Sequence, residues 1–411
     1  MAAQTLDSSA TGFLSMLKEL YPAGVPQDVA EHNLPFLQDI PKTDDFEGKQ
    51  IDIPVKYVYP QGRSATFATA KTNARSSKQV NFLLTQKEDI AINYIDALTM
   101  RRSRSNRGAF VQARKTEVDG MLAQLGRSAA QALFGDGGGS IGRVAAGFAA
   151  SFVQLTLKSD VVNFERGQIV QFGPNADGSA LRDAGDFLEI ASVDRNLNGS
   201  QVAQINFTAA VAGIAGLATN DYIFVQGDAG LKIQGLAGWL GDPAVTPSAT
   251  LFNAVDRSQD PERLGGVRRN AAGDGIKANI LNLVEDIAVL GGRPDTVVIG
   301  ASRWNDLAME IDTKVMYSDS TSARVGRKKV TFSTDLADAT VYTDPRCPSN
   351  RVYVLTMDTW KLHHLDGFPH IVMDDGLTAA RDPNANGIEV RARYWANLAC
   401  VAPGWNGVAA I

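Results

Sequence analysis

Four groups of residues have the types and spacing to do chemistry. The first lies in "LFGDGGGSIGR", residues 133–143, where Gly138-Gly139-Ser140-Ile141-Gly142 matches the G-x-S-x-G elbow of serine hydrolases. There a strand feeds a sharp turn that lifts the serine hydroxyl clear of a parallel sheet, and a histidine takes its proton. His363, His364 and His370 lie downstream as bases. The same glycines, Gly137 to Gly142, also approach a phosphate loop, but Arg143 and Val144 stand where Lys and then Ser or Thr are needed. The second group is "HHLDGFPHIVMDD", in which the three histidines stand with Asp366, Asp374 and Asp375, residue types used to hold metals. The third is the pair of cysteines, Cys347 and Cys400. The fourth is "RRSRSNRGAFVQARK", with Arg101, Arg102, Arg104, Arg107, Arg114 and Lys115 and no acid.

Spacing weakens the first three. The residues before Ser140 read as a helix, not a strand, so the glycines are expected to stop that helix and link it onward. Adjacent histidines on a strand point to opposite faces, and no H-E-x-x-H spacing or cysteine pair supports a metal, so the histidine stretch reads as a polar turn between two strands. The cysteines lie apart without a nearby histidine, so neither a thiol nucleophile nor a disulfide framework is expected. The glycines of "GLAGWLGDP" and "RLGGVRRNAAGDG" lack the strand-then-helix setting of a dinucleotide site. We therefore expect no catalytic, cofactor-binding or metal-binding residues. The basic run remains. It sits at the positive end of a helix, where cations are unfavourable, and it suits a solvated face, a neighbouring subunit or packaged DNA.

The elements that carry these residues can be read from periodicity. Residues 1–45 read as an arm: "TGFLSMLKELYP" offers a short amphipathic stretch, and Pro22, Pro26, Pro35 and Pro41 then interrupt it. Such a segment has no core and must dock on something. Residues 50–95 read as a long β-hairpin, with Ile51, Ile53, Val55, Tyr57 and Tyr59 alternating outward and Val80, Phe82 and Leu84 on the return. Its tip carries Arg63, Phe67, Lys71, Arg75 and Lys78 and no acid; a loop of that length is either disordered or functional. Residues 106–134 carry an apolar stripe at three- and four-residue steps and predict a helix about 42 Å long. Residues 150–240 read as short strands of an inserted antiparallel sheet or barrel. Residues 276–312 read as helix, buried strand "TVVIG" and second helix, with Ser302 as the cap of the latter. The end alternates clearly: Ile388, Val390, Ala392, Tyr394, Ala396, Leu398 and Cys400 share one face of a strand.

Composition is that of an ordinary globular protein, enough for one large domain or two to three smaller ones, and the mix of helices and strands read above makes it α+β. The chain has 411 residues, 44% hydrophobic and 21% charged, with a formal net charge of −5. That balance announces no global nucleic-acid field. No apolar run approaches a membrane span, and the first residues lack the pattern of a signal peptide. The two cysteines fit a reducing, cytoplasmic place of synthesis.

The order of parts resembles the major capsid protein of tailed bacteriophages, with the Hong Kong 97-like fold. The stretches that carry the likeness are "IPVKYVYPQGRSATF", "PDTVVIGASRWNDLAMEI", "LHHLDGFPHIVMDDG" and "EVRARYWANLACVAPGWNGVAAI". The resemblance implies an N-terminal arm (1–45), an extended loop (46–100) and the spine helix of a peripheral domain (101–149). A β-rich peripheral or insertion region (150–232), an axial domain (233–345) and closing strands shared by both domains (346–411) follow. It implies a non-enzymatic shell of hexamers and pentamers enclosing double-stranded DNA, in the virion, assembled in the bacterial cytoplasm. Implied partners are further copies of the chain, a separate scaffolding protein, a portal, a decoration protein and non-specifically held DNA, with no membrane. A cellular nanocompartment shell of the same fold is the alternative, and a hydrolase using Ser140 is the alternative of another class. On this reading the loop tip meets acids of a neighbour's arm, for example Asp39, Asp44, Asp45 and Glu47.

Overall fold

The structure, a computed structural model, describes residues 34–102, 113–195, 202–312, 330–333, 338–372, 380–381 and 386–411. A helical turn α1 (Pro35–Asp39) and a short strand β1 (Lys42–Asp44) come first. A hairpin of β2 (Gln50–Val58) and β3 (Lys78–Thr85) carries helix α2 (Phe67–Asn73) at its tip. Strand β4 (Lys87–Asp96), helix α3 (Ala97–Arg102) and the long helix α4 (Ala113–Ala132) follow. Six strands come next: β5 (Ser140–Ala149), β6 (Phe152–Leu155), β7 (Ile169–Gly173), β8 (Phe187–Asp194), β9 (Gln204–Phe207) and β10 (Tyr222–Val225). Then come α5 (Leu236–Leu240), a small ladder of β11 (Leu251–Phe252) and β12 (Val255–Asp256), α6 (Pro261–Gly265), β13 (Val267–Arg269), α7 (Ile276–Val289), β14 (Thr296–Gly300) and α8 (Trp304–Asp312). The chain closes with β15 (Val330–Ser333), β16 (Asp338–Asp344), β17 (Arg351–Leu355), β18 (Trp360–Ile371), β19 (Ala380–Arg381), β20 (Gly387–Cys400) and β21 (Gly407–Ala410).

These elements build three cores. The main one lies between α4 and a five-stranded sheet ordered β1-β18-β20-β19, with β4 also paired to β20. Alternation decides which side is buried: Val390, Ala392, Tyr394, Ala396 and Leu398 all turn inward, as their spacing predicts. On the helix, Met121, Leu125, Ala129 and Ala132 meet them. Trp239 and Trp360 stack edge to face at 6.5 Å in the same core. The second core lies in a six-stranded mixed sheet, ordered β13-β21-β17-β14-β16-β15. Its strands are apolar on both faces because both are covered. Val297, Ile299, Val352 and Val354 face α7 and α8, whereas Val298, Tyr353 and Leu355 face the main core. Helix α7 starts at Gly275 without a side-chain cap of its own; the Glu310 carboxylate of α8 accepts from the Ile276 and Lys277 amides at 3.0 and 2.8 Å. The third core fills a closed barrel, β10-β5-β6-β9-β8-β7, with Val144, Val153, Phe164, Phe172, Ile205 and Ile223 inside.

Several expectations change. The hairpin ends at Thr85, since β4 pairs with β20 instead of continuing it. The tip is folded: α2 occupies it, and Gln61 and Arg75 close its neck through backbone bonds of 3.0 and 2.6 Å. The arm does not remain outside the core up to residue 45. Phe36, Leu37, Ile40 and Phe46 are buried in the main core, and Leu34 approaches α4 where Gly126 leaves room. The barrel starts ten residues before the expected 150, at Ser140. Ser302 sits inside a 3₁₀ turn, Ala301–Arg303, that leads into α8, so it is not the residue before the helix. From His363 to Ile371 the histidine stretch is no turn between strands: these residues belong to one long strand, β18, interrupted by a bulge where Asp366 and Gly367 take φ of 59° and 99°.

Candidate interaction surface

Helix α4 leads into the glycines before Ser140, and no strand does. The last helical turn closes with Gly135 N–H donating to Ala132 O at 3.0 Å, and Asp136 Oδ1 accepts from Gly138 N–H at 2.8 Å. A Cβ at Gly138 would stand 2.0 Å from Ala176 O, and one at Gly139 2.6 Å from Asp228 O. The glycines are therefore where helix and barrel backbones press together. Ser140 opens barrel strand β5. His363, His364 and His370 lie on β18 of a different sheet, so the elbow geometry is absent.

The two adjacent histidines do point apart, and each meets an acid of the incoming arm. Strand β1 pairs parallel with β18, Thr43 opposite His363 and Asp44 opposite His364. His363 Nδ1 lies 2.5 Å from Asp45 Oδ1, and His364 Nδ1 lies 3.5 Å from Asp44 Oδ1. Two of the acids expected to meet a neighbour thus also hold their own arm down, while their side chains stay 47% and 61% exposed. Asp39 and Glu47 are exposed as well. Among the described residues, no three His, Cys, Asp or Glu side chains form a metal-holding group, and Asp374 and Asp375 lie outside those residues. Burial pushes the Cys400 thiol up to about 12 and the Cys347 thiol up as well, the opposite of what a nucleophile needs.

The hairpin tip is the most exposed built feature. Arg63, Phe67, Lys71, Arg75 and Lys78 are all exposed, and Phe67 is 85% exposed. Arg75 has a second task, since its guanidinium donates to Thr72 O and Ala74 O at 3.3 and 2.8 Å and so ties off the end of α2. The body holds the stem close to its tip end: Tyr57 OH donates to Gln259 Oε1 at 2.9 Å, and Arg263 donates to Tyr57 O at 2.7 Å. The stem thus carries a cationic tip with two bare aromatic rings, Phe67 and, where the tip begins, Tyr59, which is 73% exposed. The basic run is split. Arg101 and Arg102 end α3, with Arg101 exposed; Arg114 and Lys115 begin α4; Arg104 and Arg107 lie outside the described residues. The expected single helix from 106 is described from Ala113 onward.

One charged cluster was not expected. Lys232 is buried, its Nζ 2.5 Å from Asp89 and 2.9 Å from Asp228. Ser128 Oγ donates to Asp89 Oδ2 at 2.6 Å, and Tyr394 OH donates to the same oxygen at 3.2 Å. The cluster joins β4, α4, β20 and the segment leaving the barrel. It borders a cavity of about 540 Å³ that is also lined by Gln131, Asn163 and Arg346. Burial raises the Asp228 carboxyl above its ordinary range despite the Lys232 ammonium beside it. Asp89 and Lys232 are 143 positions apart, so no local pattern announces the pair.

No family model and no curated protein matches the sequence. Solved structures do. The chain is similar to a chain of the cyanophage A-1(L) capsid asymmetric unit at 10% identity, covering 94% of each chain with a TM-score of 0.53. It is similar to the capsid of an empty GTA particle at 8% identity, covering 100% of this chain and 99% of that one with a TM-score of 0.50. The capsid of the native GTA particle gives 9% identity at the same coverage and TM-score. At such identities the likeness is one of fold. The chain has an α+β fold of the phage capsid class, along nearly its whole length. Within that fold it carries a closed six-stranded barrel between its long helix and its mixed sheet.

Proposed function

We propose that this chain is the major capsid protein of a tailed phage, assembling with itself into a closed icosahedral shell around double-stranded DNA. The observation that carries the reading is the fold, matched over 94–100% of the chain to phage capsid structures. The hairpin acts as the extended loop, α4 as the spine helix, the five-stranded sheet as the peripheral domain, the mixed sheet as the axial domain and the barrel as an insertion. The tip of one subunit, with Arg63, Phe67, Lys71, Arg75 and Lys78, grips acids of the next. Asp39, Asp44, Asp45 and Glu47 remain on offer, because all four stay exposed. Many weak overlaps of this kind make a shell cooperative. The basic run from Arg101 to Lys115 faces the packaged DNA or a neighbour. Scaffolding, portal and decoration proteins complete the set, and the shell belongs to the virion after assembly in the bacterial cytoplasm.

Expression with the neighbouring genes and negative-stain microscopy tests the reading. Closed particles tens of nanometres across that protect DNA from nuclease are expected. Particles that hold enzymes and no DNA would favour the cellular compartment, and a chain that stays monomeric or forms only open fibres would overturn the shell.

A further inference from the structure

Lys232 is held as a nucleophile beside a carboxyl. The segment leaving β10 turns back on itself, Leu231 N–H donating to Asp228 O at 3.1 Å and Gly230 N–H to Gly138 O at 2.8 Å. Lys87 Nζ ties the same turn to β4 by donating to Gly230 O at 3.2 Å. The turn sets the Lys232 ammonium against two carboxylates and a hydroxyl: Asp89 Oδ2 at 2.5 Å, Asp228 Oδ2 at 2.9 Å and Ser128 Oγ at 3.0 Å. Its stem runs beside Gly139, where a Cβ would stand 3.1 Å from Lys232 Cγ. Three needs of amide formation meet at this point. An ammonium must lose a proton before it attacks, and both Ser128 Oγ and Asp228 Oδ2 lie within reach of Nζ to take one. Charge that develops on the attacked carboxyl must be held, and Asp89 Oδ2 accepts from the Ser128 and Tyr394 hydroxyls at 2.6 and 3.2 Å. The two groups must be kept together and out of bulk water, and Lys232 is only 7% exposed. Burial also raises the Asp228 carboxyl, toward the range in which it can both take and give a proton.

We propose that Lys232 and Asp89 condense into an isopeptide bond within one folded chain, with Asp228 as the proton carrier. Nζ gives a proton to Asp228, and its lone pair attacks Cγ of Asp89. Negative charge collects on Oδ2, facing the Ser128 and Tyr394 hydroxyls. The Cγ–Oδ1 bond then breaks. Oδ1 leaves as water with two of the three ammonium protons: the one that Asp228 carries, and a second that nitrogen gives up as the amide forms. Ammonium and carboxylate become a neutral amide and one water, so atoms and charge balance and nothing outside the cluster is consumed. The water has an exit, since Asp89, Asp228 and Lys232 all line the adjoining cavity. The link joins positions 143 apart and encloses α4 and the barrel in one covalent loop. It lies inside a single subunit, ties no subunit to another, and does not depend on the shell reading.

Intact-mass spectrometry of the purified full chain, unfolded for the measurement, reads the bond directly. The chain is expected to be lighter than its sequence mass by one water. A protease digest is expected to hold a branched peptide that joins the residues around Asp89 to those around Lys232. Lys232→Arg and Asp89→Ala should each restore the full mass. Asp228→Asn leaves the lysine, its target and both hydroxyls in place, and should also stay at full mass. A parent chain of full mass, with Asp89 and Lys232 recovered on separate linear peptides, overturns the inference, and that measurement needs no variant to fold. A water lost equally from Lys232→Arg comes from another site, such as an Asp-Gly step, and overturns it too. Conversion of Asp228→Asn at the parent's rate removes Asp228 from the chemistry. Full mass in chains taken from closed particles overturns the bond and leaves the shell reading intact.

Discussion

Asn406 holds more of the fold than its exposed-looking neighbourhood, "PGWNG", suggests. Its Oδ1 accepts from the Thr356 amide and the Trp360 indole N–H, both at 2.8 Å, and its Nδ2 donates to Thr359 Oγ1 and Ala402 O, both at 2.9 Å. It is fully buried. Asn406→Leu keeps the volume but orphans a buried indole and an amide, at about 1–3 kcal/mol each. We expect the denaturant midpoint to fall sharply with the slope unchanged, and a midpoint within error of the parent would refute this account. Asp160 gives a pH dependence. Burial lifts its carboxyl from 3.8 to about 7, ahead of the opposing bond from Ser159. The folded chain then keeps a proton that the unfolded chain releases, so this contribution is full below about pH 4 and is lost as pH rises to about 7. Melting at pH 5 and pH 8 should differ less in Asp160→Asn than in the parent. Ser140→Ala should leave particle yield unchanged. At this scale the sequence was a partial guide. Adjacent histidines on a strand are expected on opposite faces, and they are, but their partners Asp45 and Asp44 lie some 320 positions away. Only the tertiary fold brings them together.

Elements were legible where one face is wet and the other dry. The hairpin strand β2 and the first part of the closing strand β20 show it, since alternation maps onto burial there; from Ala396 to Cys400 both faces of β20 are buried and alternation says nothing. Helix α2 was not legible, because none of its residues is buried and a wholly exposed helix carries no stripe. The barrel was read as a set of short strands, but its true start at Ser140 was hidden by glycines that looked like a motif. Its first and last strands, β5 and β10, are hydrogen-bonded neighbours, so the two connections leave side by side, and it has its own core. Residues 138–228 expressed alone should therefore melt cooperatively; a fragment with no cooperative transition would show that the barrel depends on the body. For the hairpin tip, changing Arg63, Lys71 and Lys78 together to Glu, with Arg75 kept to close α2, should leave circular dichroism unchanged. Shells should fail to form or should fall apart at high salt, because exposed pairs are screened. Normal particles of unchanged salt tolerance would remove the tip from the interface.

For the whole molecule, the order in which the pieces are made differs from the order in which they lie. Strand β20 sits in the interior of the five-stranded sheet, between β4 and β18. Strand β21 sits inside the mixed sheet, between β13 and β17. Both come from residues 387–410, after every other strand of their sheets has left the ribosome. The barrel, finished by Val225, can fold while synthesis continues. The two sheets cannot: until these two strands arrive, β4 has no partner and β13 has none. A nascent chain thus holds a complete barrel on an incomplete body. It carries the hairpin and its cationic tip early, yet lacks both completed sheets. On the shell reading proposed above, this ordering would keep recruitment into a particle, on a polysome where many unfinished copies crowd together, for chains that have been translated through residue 410.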